Sequence, residues 1–505
     1  MHLKLQHFLS LSNCVMDSAS RIMTKECDVK FISLCSGIAV SVVAALSFIL
    51  WPWICKFVIS LKLPLTPTSD TYAIWRDTPI PMHIDFYFFN WTNPHELLDP
   101  EKKPEFVQMG PYRFIETKEK VNITWNVNHT VSYQQRKWWY FDAENSNGKL
   151  TDNITTLNVV ALAASNTVKN WAYVMQSALS TAMSQTSQNI SVTKPAGQLL
   201  FDGYEDKLID LAMNFPSMIT VPYDKFGWFY TRNGSAEFDG YFNIDVGSED
   251  IEDFGRIRNW NYASRTDYYA GECGELRGSG GELFPPDMQQ TKITLFSPDM
   301  CRSVILEYER TVEHSGMEGY RFVGGLDMVD NGTHDAANEC LCDGECVPQG
   351  LSNATSCRYG VPAFISYPHF YLADPVYRED IRGMRPDKDL HQFQMTFEPT
   401  TGVPLEVKAR LQINILLTAN PSVMLFEKVP SIFFPMIWFE NKATITEELA
   451  EEVKLALYIF ENGRYGAAMV LFLGISLILI TLVVQRIFEN PQDVRKSTQF
   501  SLCPQ

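Results

Sequence analysis

The sequence predicts an α+β protein in which a large, strand-rich segment with helical inserts is held between two membrane-spanning helices. Three observations predict it. Two long uncharged apolar runs, 31–55 and 465–485, lie near opposite ends of the chain. Between them, and not outside them, fall eight Asn-x-Ser/Thr acceptors and a cluster of cysteines. The same middle segment alternates apolar and polar residues over several short stretches, broken by stretches of helical periodicity.

At about 1.5 Å per helical residue the two runs reach roughly 37 and 31 Å, enough to cross a hydrocarbon core of about 30 Å. A buried core helix is the weaker reading for either. The first run is longer than a signal-peptide core and lacks a small-residue cleavage site, so it reads as an uncleaved signal anchor. Trp51 and Trp53 suit its outer interface, where Pro52 is expected to kink or end the helix. The acceptors Asn90, Asn122, Asn128, Asn153, Asn189, Asn233, Asn331 and Asn353 assign everything between the runs to the lumen or the cell exterior. Lysines and arginines flank both runs and add little to the orientation. The expected organisation is a cytosolic tail (1–30), a first span (31–55), a glycosylated ectodomain (61–463), a second span (465–485) and a cytosolic tail (486–505).

With 42 basic and 59 acidic residues the chain carries a net charge of −17, which opposes nucleic acid and anionic surfaces as partners. Enzyme motifs find no footing. There is no Gly-x-Ser-x-Gly elbow, no His-Glu-x-x-His helix and no phosphate loop, and the nine histidines are scattered. The chain is expected to be neither an enzyme nor the holder of a cofactor or metal.

Within the middle segment the clearest strand signal is 121–133, where odd positions are apolar and even ones polar. Asn122 and Asn128 fall on its polar face, and His129 is the one exception on its apolar face. Further strands are expected at 84–89, 361–366, 411–417 and 432–439, the last bent or at an edge because of Pro435. The first helical stretch, 157–184, places Val160, Ala163, Ala164, Val168, Trp171, Met175, Leu179 and Met183 at three- and four-residue spacing. A second follows Pro195, a good first-turn residue, and includes Leu208, Leu211, Ala212 and Phe215. A third, 446–460, is announced by Thr444 with Glu447 three residues later.

Cys273, Cys301, Cys340, Cys342, Cys346 and Cys357 gather between 273 and 357. An oxidising compartment favours disulfides there over a zinc site built on Cys340, Cys342 and Cys346. Sequence alone leaves fifteen pairings open.

Seven segments occur in a telling order: Asp85-Phe-Tyr-Phe-Phe-Asn-Trp-Thr-Asn-Pro94, Gly110-Pro-Tyr-Arg-Phe114, Asn128-His-Thr-Val-Ser-Tyr133, Phe296-Ser-Pro-Asp-Met-Cys-Arg-Ser303, Tyr320-Arg-Phe-Val323, Ser366-Tyr-Pro-His-Phe370 and Pro435-Met-Ile-Trp438. Together with the two spans and the cysteine cluster, this order resembles the class B scavenger receptors. The likeness covers roughly 25–486, and residues 1–24 outside it read as an added, flexible start.

The resemblance implies an irregular antiparallel β-barrel with an apical helical bundle, here 157–215. It also implies the disulfides Cys273 with Cys340, Cys301 with Cys357, and Cys342 with Cys346. Members of such a family would receive lipid (fatty acids, sterols, carotenoids) or lipoprotein particles at the apex and pass lipid towards the bilayer through an apolar tunnel. The physical gain is about 0.8 kcal/mol for each CH2 kept out of water. Trp171, Met175, Leu179 and Met183 are the candidates for an apical apolar port, against the blander reading that they form the bundle's packed face. The odd face of 121–133 and the strands near 411–417 are the candidates for the tunnel lining. Where lipoprotein-binding members carry clustered lysines, this chain reads Ser180-Thr-Ala-Met-Ser-Gln-Thr-Ser-Gln188, with Lys169 and Lys194 only flanking it. The competing reading is a receptor that recognises a luminal protein or a dying cell, or sorts lysosomal cargo, without conducting lipid. The expected location is the plasma membrane, with the endosomal or lysosomal membrane as the alternative. Cys27 and Cys503 are palmitoylation candidates. Phe488-Glu-Asn-Pro491 lacks the tyrosine of an endocytic signal, and no acidic dileucine stands out.

Overall fold

The computed structural model describes residues 2–215, 221–342 and 346–488. They form two compact units, one from the terminal helices within 1–59 and 451–505, and one from Ser60–Ala450.

The terminal unit contains two long helices, His2–Lys62 and Glu447–Phe488. Both are long and apolar enough to cross a membrane. Their large apolar side chains face outward, as at Phe31 (68 % exposed), Ile49 (69 %) and Phe472 (71 %), which is the opposite of a soluble core helix. The two helices touch through small and polar residues. Ser33 Oγ lies 3.1 Å from Thr481 Oγ1, and the Trp51 indole donates to the Phe460 carbonyl at 2.8 Å. A Cβ on Gly474 would lie 3.1 Å from the Ser41 nitrogen and 3.3 Å from the Gly37 carbonyl, so glycine permits this close approach. Pro52 does not end the first helix, which continues to Lys62, and the expected flexible start lies within the same helix from His2 onward. Neighbouring groups make an internal proline tolerable in such helices. Cys503 lies outside the described residues, as do Asn490 and Pro491; Cys27 sits on the helix backbone, with its side chain outside those described.

The second unit is built on strands β1 Met82–Trp91, β2 Phe106–Trp125, β3 Thr130–Phe141, β4 Asn153–Leu157, β5 Ser191–Pro195, β6 Tyr241–Asp245, β7 Ile257–Trp260, β8 Lys292–Ser297, β9 Arg302–His314, β10 Met317–Val323, β11 Ser352–Asn353, β12 Ala363–Ser366, β13 Gln394–Phe397, β14 Pro404–Leu417 and β15 Ile432–Thr444. Thirteen of them form one antiparallel sheet in the order β7-β6-β3-β2-β1-β15-β14-β13-β10-β9-β8, with β12 also on β14 and β11 on β12. Ser279 pairs with both Leu295 of β8 and Arg256 next to β7, so the two ends of the sheet nearly meet and the sheet is a barrel. Strands β4 and β5 form a separate ribbon.

Central strand β1 contributes Phe86, Phe88, Phe89 and Trp91 to the core, and Asp85 accepts both the Nε (2.7 Å) and Nη2 (2.6 Å) donors of Arg113 from β2. Between Phe86 and Phe88 the β1–β2 register shifts by a bulge, where Gly110 adopts φ +124°. A Cβ there would meet the Phe86 carbonyl at 2.5 Å, so only glycine fits.

Several expectations change. The stretch 121–133 is not one strand but the end of β2, a turn, and the start of β3; Val127 is fully exposed at the tip. Its alternation persists because both arms of the hairpin show the same face to the core. His129 therefore leaves the apolar face: it stands in the turn at φ +57°, its Nε2 3.3 Å from Glu249 Oε1. Pro435 lies in a central strand, between β1 and β14, and is accommodated by a register shift opposite Asn414. The helical stretch 157–184 is broken into Val159–Val168 and Tyr173–Gln185. Pro195 ends β5 and is followed directly by a short helical segment that includes the π-helix Gln198–Asp202, whereas Leu208, Leu211 and Ala212 lie in a separate helix, Lys207–Met213, and Phe215 lies beyond its end. Thr444 ends β15, and Thr446 caps the last helix instead, accepting from the Leu449 nitrogen at 3.3 Å.

Candidate functional site

Where the barrel meets its helical insertion, the core is incomplete and leaves a cavity of about 310 Å³. That lies at the lower end of the range of roughly 300–1,000 Å³ usual for small-molecule sites. Each wall follows from local sequence. Helix Val159–Val168 starts at Asn158, whose Oδ1 accepts the Ala161 N–H at 3.1 Å. It turns Val160, Ala163, Ala164 and Thr167 towards the cavity at three- and four-residue spacing, and the two alanines there leave space that larger residues would fill. Helix Lys207–Met213, capped by Asp206 through the Leu208 N–H (2.8 Å), adds Leu208, Ile209 and Ala212. From the barrel come alternate residues of three strands: Ala363 and Ile365, Leu411 and Ile413, and Phe439.

Ala163, Ala164, Gly227, Ala354 and Ala363 all face the space, so its emptiness is a property of small residues from distant parts of the chain. Exposed Thr167, Pro222 and Tyr359 mark its mouth, while buried Val159, Leu208, Phe229 and Leu411 form its depth.

One wall is charged. Buried Arg232 spans Asp299 (2.9 Å) and Asp239 (3.0 Å), and Lys137 reaches Asp239 at 2.7 Å. Burial pushes the Asp239 carboxyl up, but Lys137 and Arg232 outweigh it and hold the group far below the usual carboxylate range. The Arg232 guanidinium also lies over the rings of Phe229, Phe238 and Trp139, at 5.4, 4.9 and 5.7 Å. At the mouth Arg358 donates to the Asp299 carbonyl at 2.5 Å. The cavity is thus apolar for most of its surface and polar along one side.

The structure distributes the sequence candidates unevenly. Leu411 and Ile413 of the stretch 411–417 line the cavity. The odd face of 121–133 does not; Val131 and Tyr133 instead pack with Leu65, Trp75, Phe242 and Phe296 in a second core. None of Trp171, Met175, Leu179 and Met183 is in the lining: Met183 is buried in the main core, Leu179 packs against it, and Trp171 and Met175 are half-exposed. Cys273 is joined to Cys340, Cys301 to Cys357 and Cys342 to Cys346, with Cα separations of 5.9, 6.4 and 4.8 Å. Among the acceptors, Asn122, Asn128, Asn153, Asn189 and Asn233 are exposed, Asn90 and Asn353 are half-buried, and Asn331 is buried. The loop 221–232, which supplies the aromatic and charged wall, was missed by sequence reasoning. Its density of aromatic residues, Tyr223, Phe226, Trp228, Phe229 and Tyr230, was the available signal.

The family model described as the CD36 family matches residues 34–485. The chain belongs to this family. Among CD36-family relatives, Protein peste of Drosophila melanogaster is 38 % identical over 419 residues, covering 82 % of this chain and 75 % of that one. Scavenger receptor class B member 1 of Cricetulus griseus is 29 % identical over 453 residues, covering 89 % and 88 %. Lysosome membrane protein 2 of Homo sapiens is 30 % identical over 402 residues, covering 78 % and 82 %. The expected kinship with class B scavenger receptors therefore holds, and members of this family are receptors that bind lipid or lipoprotein ligands. The order of short segments that suggested it includes structural pieces of the barrel, such as the Asp85–Arg113 pair and the Gly110 bulge.

Proposed function

We propose that this CD36-family protein is a membrane-anchored receptor that accepts a lipid into the cavity between barrel and helical insertion and delivers it to the bilayer. The single observation that carries the reading is the cavity itself: a largely apolar space kept open by small residues in its lining. An acyl chain or sterol moved into such a space is shielded from water over most of its length, at about 25 cal/mol for each Å² covered. Onward passage through the barrel to the membrane is part of the proposal. So are an orientation with both tails in the cytosol, and placement in the plasma membrane; the relative named as a lysosome membrane protein keeps the endolysosomal membrane as the alternative.

The test fills the space. In cells expressing the full chain, Ala163→Trp should lower uptake of labelled fatty acid or sterol by about tenfold while surface display of the protein is unchanged. Uptake equal to the parent protein would overturn conduction through this cavity and leave a receptor that binds its ligand elsewhere.

A further inference from the structure

The turn that leaves β7 holds a tyrosine where glycine is the favoured residue. Trp260 and Ala263 exchange both backbone hydrogen bonds across two residues, Asn261 at φ +50° and Tyr262 at φ +67°. A turn with left-handed backbone at both central positions favours Asn-Gly, because a side chain at the second position costs strain. Tyr262 is nonetheless 80 % exposed, so burial of its ring does not offset that strain. The ring stacks on Tyr241, with centroids 4.8 Å apart and planes at 21°. Tyr241 is fixed in turn: its N–H donates to Asn261 Oδ1 at 2.9 Å and its carbonyl accepts the Asn261 N–H at 2.8 Å. A strained turn that presents a rigid pair of rings to solvent has the form of a preformed contact surface.

The neighbours of the pair identify its occupant. Tyr241 opens β6 directly opposite Gln134 of β3, so the two side chains share a face with Cβ atoms about 5 Å apart. Gln134 Oε1 accepts the side-chain amide of Asn122 at 2.6 Å. Asn122 stands in a bulge of β2, where the β2–β3 register shifts between Val121 and Thr124 and its own φ is +52°. It is exposed and begins the acceptor Asn122-Ile-Thr124. The Nδ2 atom that takes the sugar has two hydrogens; the sugar replaces one, and the other keeps the bond to Gln134. The attachment atom is thus tied to the residue that faces Tyr241. The next row of the same face is amide and hydroxyl, with Asn243 Nδ2 donating to Ser132 Oγ at 2.9 Å and to Thr130 Oγ1 at 2.8 Å. A sugar uses such a surface fully, its C–H groups on the electron-rich ring faces and its hydroxyls on the polar row.

We propose that the first sugars of the glycan on Asn122 dock on Tyr262 and Tyr241, which makes this glycan a fixed part of the protein surface rather than a free antenna; the proposal rests on the luminal orientation of this segment. A tethered sugar meets the rings at a high effective concentration, which an unlinked partner has to exceed. The aromatic pair is therefore covered by the chain's own carbohydrate, and this face of the sheet is closed to protein partners.

The test uses the full-length protein made in cells that leave glycans in the high-mannose form. The folded protein is treated with an endoglycosidase that cuts between the two core N-acetylglucosamines, and release is followed site by site by glycopeptide mass spectrometry. Release from Asn122 should be about tenfold slower in the parent protein than in Tyr262→Gly, as for one contact of aromatic-packing strength that has to open first. Release from exposed Asn153 should be the same in both. Tyr262→Gly removes the ring while relieving the turn, so faster release in it does not reflect a damaged fold. Tyr262→Trp, which keeps an aromatic face, should stay close to the parent. Equal release from Asn122 in the parent and Tyr262→Gly would overturn the proposal, as would an equal acceleration at Asn153. A bare Asn122 beside occupied Asn153 and Asn189 would overturn it and leave the orientation standing, whereas a protein bare at every acceptor would sink the orientation as well.

Discussion

His369 and His391 stack beside Trp438, on the face of the sheet opposite Leu411 and Phe439, with ring centroids 4.5 Å apart, and their environment makes them sensitive to acid. His369 Nδ1 accepts the Arg385 N–H at 3.1 Å, so its Nε2 carries the proton and donates to Gln108 Oε1 at 2.7 Å. The same oxygen accepts the Trp438 indole at 2.8 Å. Burial, helped by His391 and Arg385, pushes His369 down to about 3; burial pushes His391 down to about 4 against the pull of Asp387. Both are neutral in the fold, whereas in the unfolded chain they protonate near pH 6.5. The unfolded state therefore binds more protons below that pH, and stability falls as pH drops from about 6.5 towards the folded values, by about 1.4 kcal/mol per unit for each ring. Thermal unfolding of the full-length protein should show a loss of about 2 to 4 kcal/mol from this pair between pH 7 and pH 5. His391→Gln should shrink that difference, and an unchanged pH dependence in this variant would count against the assignment. None of this was legible in sequence, where His369 is one of nine scattered histidines; its acid sensitivity comes from what surrounds it.

Elements were legible in proportion to how strongly their pattern exceeds the alternatives. Strands β1, β12, β14 and β15 were anticipated as apolar runs; the structure extends β1, β14 and β15 and trims β12 to Ala363–Ser366. The β2–β3 hairpin was not, because alternation continues in phase across its turn. The cue that would have split it is Asn126-Val-Asn-His129, since Asn and His tolerate the left-handed backbone that His129 adopts. The terminal helices were legible as spans but not as partners. Their seam is made of Ser33, Gly37 and Ser41 against Gly474 and Thr481, where small side chains allow close packing in a medium that gives apolar surfaces no preference for one another. Ser33→Cys with Thr481→Cys should therefore cross-link within a single chain on mild oxidation, seen as a shifted monomer on non-reducing gels. Adding Gly474→Leu should abolish the shift; a shift that persists would mean that the seam does not depend on the glycine contact.

For the whole molecule, the eight glycan acceptors are the sequence's argument for the proposed orientation, but folding does not treat them alike. Asn331 is 2 % exposed, its Nδ2 donates to the Val347 carbonyl, and its Oδ1 accepts from Thr333. A sugar on that nitrogen would displace the hydrogen bond and the packing around it. Glycopeptide mass spectrometry of the full-length protein is expected to find Asn122, Asn128, Asn153, Asn189 and Asn233 occupied and Asn331 bare. High occupancy at Asn331 would show that this loop is arranged differently in the mature protein. By itself the sequence determined the two apolar spans, the strand-rich middle and the family, because each is written in contiguous runs or in short segments of fixed order. Tertiary structure alone decided the cavity. Its walls come from positions as far apart as Val159 and Phe439, and its volume exists because small residues on separate elements happen to face one another, which no local pattern records.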